Sequence, residues 1–240
     1  RKKAETLLPV ITGYDDEMIK LGLTDYLKTF RQTGLRKFLT EDFTNPTILD
    51  QFQPIPKGGL AKAIGPDLLL HIWAGNVPGL PLWSLVSGLL VKAGNIGKVP
   101  SGEPLFANLF AELLAEVEPK LSDCLAIIWW QGGDDLHEQI LLDRADVVLA
   151  YGSNTSLSAI RARTPLTTRF IGHGHKISFG LVSKESLYTQ KAWATAHQAA
   201  FDIIRYDQQG CYSPQVLFVE SGGSVAPPEF AKLVANELRC

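Results

Sequence analysis

The chain has 240 residues, 45% of them hydrophobic and 20% charged, which is apolar material enough for a substantial core and up to two domains. Its 23 basic and 25 acidic residues leave a formal net charge of -2, so there is no electrostatic case for nucleic acid or an anionic membrane surface as partner. No apolar run reaches the roughly 20 residues of a membrane span, the start mixes charges with Pro9 and Gly13 where a secretory leader would be apolar, and Cys124, Cys211 and Cys240 are too few and too scattered for a disulfide framework or a zinc site, so a reducing, cytoplasmic setting is expected.

Asp15 to Phe38 reads as an amphipathic helical region, with Met18, Leu21, Leu23, Tyr26, Leu27 and Phe30 spaced for one face and charges between them. From Thr44 to Pro66, proline and glycine indicate a segment that wraps the domain or enters it through a short hairpin. Leu68 to Trp73 is a continuous apolar strand, followed by a Gly/Pro loop and an apolar helix over residues 82–92. The alternation continues as strand 95–99, helix 104–117, strand 124–130, helix 134–143, strand 145–151, helix 155–163 and strand 167–171. Continuous Val/Ile/Leu strands separated by helices predict an α/β fold, a Rossmann-like doubly wound parallel sheet with right-handed crossovers. After His175 the rhythm becomes strand 177–182, helix 191–205, strand 216–219 and helix 227–238. Three stretches follow: a wrapping segment over 1–66, a Rossmann-like domain over 67–174, and a second α/β domain over 175–240, with few residues for an independent core.

Candidate chemistry gathers at the ends of strands, because ligands of open α/β sheets bind beyond the strands' carboxyl ends. Asn76, in Gly75-Asn76-Val77-Pro78-Gly79, either donates its amide to a developing oxyanion or satisfies the turn before Pro78. Lys98 and Ser101, in Gly97-Lys98-Val99-Pro100-Ser101-Gly102, place an ammonium and a hydroxyl in a glycine-rich bend, where they meet ribose hydroxyls or a phosphate, or are simply solvated. Gly152 and Ser153 open a helix whose first amides favour an anion such as pyrophosphate, and Ser153 or Asn154 serves as N-cap in either case. The strict Gly-x-Gly-x-x-Gly dinucleotide fingerprint is absent.

His173 and His175 flank Gly174 without a third ligand nearby, so an acid, base or cofactor contact is favoured over a metal site, and none is expected. His71, His137 and His197 read as structural, one in a strand and two on helices. Cys211 follows Gly210 and precedes the apolar run Val216 to Val219; it is either a nucleophile facing a cleft or a small buried residue.

Taken in order, these pieces resemble the aldehyde dehydrogenase superfamily over most of the chain, from Ile72 to Glu220. The resemblance implies that Asn76, with Pro78, supplies the oxyanion-hole amide and that Lys98, with Pro100 and Ser101, binds the adenosine ribose. It further implies that Gly152 and Ser153 start the helix at the pyrophosphate, and that Cys211, after Gly210, is the nucleophile. The closer likeness, in Gly75 to Gly79 and Gly210 to Gln215, is to the acyl-CoA reductase (LuxC-like) branch, the fatty-acid reductase component of bacterial bioluminescence. That branch implies reduction of long-chain fatty acyl-CoA, or another acyl thioester, to a fatty aldehyde through an acyl-enzyme on Cys211. Proton donation by His173 or His175, a partner enzyme that supplies acyl groups, and association into a homo-oligomer belong to the same expectation.

Two departures from the parent pattern refine it. Aligning Lys176 with the lysine of the superfamily's Glu-Leu-Gly-Gly-Lys motif puts Gly172 where the water-activating glutamate would stand, and an enzyme that holds an acyl group for reduction gains nothing from that base. Ser101 stands where NAD-preferring relatives carry a loop carboxylate, and removing that charge beside Lys98 admits a 2′-phosphate, so NADPH is expected over NADH. The alternatives are a CoA-acylating aldehyde dehydrogenase acting on shorter aldehydes and a non-catalytic nucleotide-binding or assembly subunit. Members of the family are longer than this chain, so residues 175–240 are expected to be the incomplete beginning of a catalytic domain.

Overall fold

The computed structural model describes residues 2–77 and 79–239, apart from the side chains of Met18, Leu21, Gly22, Asp25, Tyr26 and Asp135. Pro78 and Cys240 therefore lie outside the described residues, as do three of the apolar side chains assigned to the first amphipathic face. The chain forms two compact units, Arg1–Gly174 and His175–Cys240.

The first unit opens with three helices, α1 (Lys2–Thr12), α2 (Asp16–Lys28) and α3 (Gln32–Asp42). Helix α1 is not anticipated from the pattern, because its charges and Pro9 dilute the periodicity; it closes at Gly13, whose φ of 76° and N–H bond to the Pro9 carbonyl make a glycine stop. The single helical region expected over 15–38 divides in two. Arg31 has extended backbone and caps α3, and Gly34 lies so close to the Thr29 carbonyl that any Cβ there would clash at 2.4 Å. The chain turns at 29–31 because residue 34 carries no side chain to prevent it.

A turn of 3-10 helix (Pro46–Leu49) leads into the short antiparallel hairpin of β1 (Gln53–Pro54) and β2 (Leu60–Ala61). There follow β3 (Leu68–Ile72), α4 (Leu80–Leu90), β4 (Gly94–Lys98), α5 (Leu105–Val117), α6 (Pro119–Ser122), β5 (Leu125–Ile128), α7 (Asp135–Leu142), β6 (Val147–Tyr151), α8 (Asn154–Arg163) and β7 (Arg169–His173). Strands β3 to β7 make one five-stranded sheet, all parallel, in the order β5-β4-β3-β6-β7. Two strands differ from expectation. Strand β5 stops before Trp129 and Trp130, and the last strand shifts two residues on because Thr168 is spent in a turn, its N–H on Pro165 and its hydroxyl on the Ala145 carbonyl.

Alternation along the strands sends side chains to two separate cores. Leu70 and Ile72 of β3 join Val148 and Ala150 of β6, Leu142 of α7 and Leu157 and Ile160 of α8 on one face. On the other, Trp73 and Val99 at the strand ends pack with Leu85 of α4 and Ala107 of α5. A sheet covered on both faces needs continuous apolar strands, which is the pattern read above.

The polar exception is His71, fully buried in the middle of β3. Its Nε2 lies 2.9 Å from Asn95 Oδ1 and its Nδ1 2.9 Å from Ser84 Oγ, which accepts from the Trp73 indole N–H at 2.8 Å. Asn95 Nδ2 donates to the Ala93 carbonyl, so Asn95 Oδ1 is the acceptor and the His71 proton resides on Nε2; Nδ1 then accepts from the Ser84 hydroxyl. Burial pushes the His71 pKa down to about 4, the Asn95 bond offsetting part of the effect.

The second unit contains β8 (Ser178–Val182), α9 (Thr189–Ile204), β9 (Pro214–Val219) and α10 (Pro227–Glu237). Parallel β8 and β9 turn Val182, Leu217 and Val219 toward Ala196, Ala200, Phe230 and Val234 of the helices. Their opposite face leaves Phe179, Leu181, Val216 and Phe218 exposed. His197 of α9 meets Glu237 of α10 at 2.7 Å, and His137 pairs with Asp134 at the start of α7, in keeping with structural roles.

Because His71 is held neutral below its unfolded pKa of 6.5, its contribution to stability is present above pH 6.5 and lost as pH falls to about 4. The stability advantage of the wild type over His71→Gln, measured by denaturant titration, is expected to shrink by about 3 kcal/mol across that interval. A difference independent of pH would show that His71 is not buried neutral.

Candidate functional site

The sheet order reverses at β3, with β4 on one side and β6 on the other, and the carboxyl ends at such a reversal are where open α/β sheets hold ligands. Asn76 lies in the loop leaving β3. Its backbone carbonyl accepts from the Tyr14 hydroxyl at 3.0 Å, which ties the loop to the segment following α1. Gly75 packs against the next strand's loop: a Cβ built on it would sit 3.4 Å from the Pro100 ring and 3.5 Å from the Glu103 nitrogen. The loops after β3 and β4 are thus in contact, and Gly97 admits the Trp73 indole so closely that a Cβ there would lie 2.0 Å from the ring.

Lys98 ends β4, in register with Ile72 of β3 and Ile128 of β5. Half-buried, its ammonium has a pKa lowered by burial, with the Glu138 carboxylate working in the opposite direction. The ammonium lies 5.6 Å from the centre of the Trp130 ring. Trp130 donates its indole N–H to Glu138 Oε2 at 3.0 Å, and Arg163 pairs with the other oxygen, so the buried Glu138 carboxylate is satisfied from two sides. Ser101 is exposed, and its hydroxyl accepts from the Trp129 indole N–H at 3.2 Å.

On the other side of β3, Ser153 caps α8 through its hydroxyl, which accepts from the Ser156 N–H at 3.1 Å. The Gly152 N–H donates to the carbonyl of His173 at 3.3 Å. His173, exposed at the end of β7, stacks on Tyr151 with ring centres 4.7 Å apart. The fold therefore brings Lys98 and Ser101 to one flank of the Asn76 loop and Gly152, Ser153 and His173 to the other. A cation, a hydroxyl and a capped helix start along one sheet edge form a donor set suited to a phosphate-bearing ligand.

His175 and Cys211 belong to the second unit, where both are exposed. The backbone before Cys211 is unusual: Tyr206, Asp207 and Gln208 take φ of 52°, 50° and 59°, a left-handed turn that non-glycine residues adopt at a cost of about 1–2 kcal/mol each. The turn is closed by the buried Ser213, whose hydroxyl donates to the Arg205 carbonyl at 3.0 Å and whose N–H donates to Gly210. The Cys211 carbonyl accepts from Ser178 Oγ at 2.6 Å. Its backbone is pinned while its thiol is free and exposed, so Cys211 is not the small buried residue that was the alternative. Beside it, burial and the neighbouring Tyr206 push the Tyr212 hydroxyl pKa up. Among the described residues no three His, Cys, Asp or Glu side chains gather as a metal site.

Sequence reasoning missed Glu103, Trp129 and the Trp130–Glu138–Arg163 cluster. Glu103 is buried, and one carboxylate oxygen accepts from the Leu105 and Phe106 N–H groups at 3.0 and 2.8 Å, closing the start of α5. An acid just before Pro104 and an apolar run is the signal that could have found it. The two tryptophans follow directly after a strand, at the edge where ligands are expected, but pattern reading absorbed them into the strand.

The family described as acyl-CoA reductase (LuxC) matches this chain over residues 1–240. The long-chain acyl-protein thioester reductase of Photorhabdus laumondii is 27% identical over 212 residues, covering 86% of this chain and 43% of that protein. Its counterpart in Aliivibrio fischeri is 26% identical over 216 residues, covering 88% of this chain and 44% of that protein. The chain thus spans less than half the length of these relatives. Similar solved structures include glyceraldehyde-3-phosphate dehydrogenase GapN from Methanocaldococcus jannaschii complexed with NADP, with a TM-score of 0.72 at 14% identity over 98% of this chain and 49% of that one. Aldehyde dehydrogenase 21 from Physcomitrella patens gives 0.72 at 15% identity, over 99% and 47%. At these identities the likeness is one of fold, and the fold is that of the aldehyde dehydrogenases.

Burial raises the Glu103 pKa to about 7 from 4.5, the two N–H bonds offsetting part of the rise. A carboxylate with a raised folded pKa costs stability as pH rises from 4.5 through 7. Glu103→Gln keeps an acceptor for both N–H groups and removes the charge. It is expected to match the wild type below pH 4.5 and to exceed it by about 1–3 kcal/mol at pH 8 in denaturant titrations; a variant less stable at pH 8 would refute the assignment.

Proposed function

The chain belongs to the acyl-CoA reductase (LuxC) family, and from that membership and the arrangement of its strand ends we propose that it reduces a long-chain fatty acyl thioester to a fatty aldehyde, with NADPH as reductant. The observation that carries this reading is the exposed free thiol of Cys211, set on a turn whose backbone is pinned at Ser178 and Ser213. A thiolate there attacks the acyl carbonyl carbon, the carbon–sulfur bond to the thiol carrier breaks, and the acyl group rests on Cys211 while the carrier leaves as its thiolate. The Asn76 side-chain amide and the Cys211 backbone N–H serve as the donors to the oxyanion.

The cofactor edge fits a phosphorylated dinucleotide on its own chemistry. Lys98 and Ser101 hold the adenosine ribose with its 2′-phosphate, and Gly152 and Ser153 present the start of α8 to the pyrophosphate. Bound there, the nicotinamide cofactor supplies hydride to the acyl carbon. The NADP carried by a structural relative supports the cofactor class.

His173 and His175 are the proposed acid–base residues, one of them lending a proton to the thiohemiacetal oxygen formed by hydride addition and taking it back as the carbon–sulfur bond to Cys211 breaks and the aldehyde leaves. Residue 172 is a glycine within β7, so no carboxylate stands at that position to activate water against the acyl-enzyme. The relatives' name, long-chain acyl-protein thioester reductase, supports an acyl group delivered on a protein, and the family's description one delivered on CoA; an acyl-supplying partner enzyme and a homo-oligomeric, cytoplasmic protein complete the proposal. None of the described helices is long and apolar enough to cross a membrane.

Incubation with a long-chain acyl-CoA and no reductant is expected to add one acyl mass to the protein, located on Cys211 by peptide mapping and abolished by Cys211→Ser. Acylation elsewhere, or its persistence in the serine variant, overturns the central assignment. Asn76→Ala is expected to lower kcat by about 10²–10³, and a kcat unchanged in that variant would remove Asn76 from the oxyanion role.

A further inference from the structure

Ser101 and Trp129 come from different strand ends and meet only in the folded chain. Ser101 lies three residues beyond the end of β4, and Trp129 follows the last residue of β5. Their contact has a fixed polarity. An indole N–H is a donor only, so across the 3.2 Å bond the Ser101 hydroxyl must accept. A serine hydroxyl has one proton, and with an oxygen lone pair occupied by the indole that proton is left to be donated outward. A hydroxyl that accepts one bond also becomes a better donor in the next.

From this geometry we infer that Trp129 is a positioning residue which turns the Ser101 O–H outward as a donor and thereby sets the edge's preference for a 2′-phosphorylated adenosine over a plain one. The recipient chemistry is an anionic phosphate oxygen. A ribose hydroxyl also accepts from serine, but a donor gains roughly twice as much from an ionised acceptor as from a neutral one. Lys98 strengthens the same preference from the end of β4 itself, its ammonium kept at this edge by the Trp130 ring and Glu138. Trp129 is exposed over more than half of its surface, so the indole is not simply core packing that happens to pass a serine. The inference rests on the proposed nicotinamide cofactor, and the probes below separate the two.

The test is calorimetric titration of the protein with adenosine 2′,5′-bisphosphate and, separately, with adenosine 5′-monophosphate. The wild type is expected to bind the bisphosphate more tightly. Trp129→Phe retains a ring but has no N–H, and is expected to weaken bisphosphate binding about 3- to 10-fold, the loss of one hydrogen bond, with little change for the monophosphate. Ser101→Ala is expected to lose the same preference, and the double variant Ser101→Ala/Trp129→Phe to lose no more than Ser101→Ala alone. A merely structural tryptophan would weaken both nucleotides equally, leaving the ratio unmoved. If the wild type prefers the bisphosphate and Trp129→Phe keeps that preference, the role of Trp129 is overturned while the cofactor proposal stands. If the wild type binds neither nucleotide, both fall together.

Discussion

A histidine with no access to water sits at the centre of the first unit, and the carboxyl edge of the sheet is organised from it. His71 joins the middle strand to Asn95 of the next strand and, through Ser84, to helix α4 and the indole of Trp73. Every polar atom in the run has a partner, which is what a buried polar network requires if it is to be worth having. Trp73 is also the residue at which β3 gives way to the Asn76 loop. Its ring occupies the space that Gly97 leaves open, immediately before Lys98. One network therefore governs where both loops begin.

Sheet order does the rest of the positioning in this unit. With β4 and β6 on opposite sides of β3, the loop of Asn76 lies between a cation and hydroxyl on one flank and a capped helix start on the other. No single element contains this set of groups; it exists because parallel strands all finish at the same edge. The second unit solves a different problem, presenting a thiol to solvent on a rigid backbone. Three left-handed residues before Cys211 are offset by the buried Ser213 and the Ser178 hydroxyl, so the main chain at Cys211 is held although its side chain is exposed.

Much of this was legible in the residues themselves. The strands at 68–72, 125–128 and 147–151 announce themselves as largely apolar runs, and Asn76, Gly152 and Ser153 are visible because they come just after such runs, whereas Lys98 and Ser101 are visible through the glycine-rich bend at the end of β4. Reading failed where a local rule was overridden. Helix α1 hides behind charges and Pro9, and the break at 29–31 depends on a close backbone approach at Gly34 that no periodicity reveals. Trp129 and Trp130 continue the apolar run from Leu125 and so read as strand, whereas the structure releases both indoles to polar partners. Glu103 carries no periodic signal, and its burial and its two bonds to the Leu105 and Phe106 N–H groups mark it as the closing group of α5.

By itself the sequence determined the class of the sheet, the succession of strand and helix, and the kinds of group at each strand end, since these follow from hydrophobic period and from residues adjacent in the chain. The polarity of the Ser101 hydroxyl, the neutral state of His71, the raised pKa of Glu103 and the exposure of the Cys211 thiol were decided only by tertiary structure. Each depends on a partner, or on an exclusion of water, contributed by residues that spacing along the chain does not bring together.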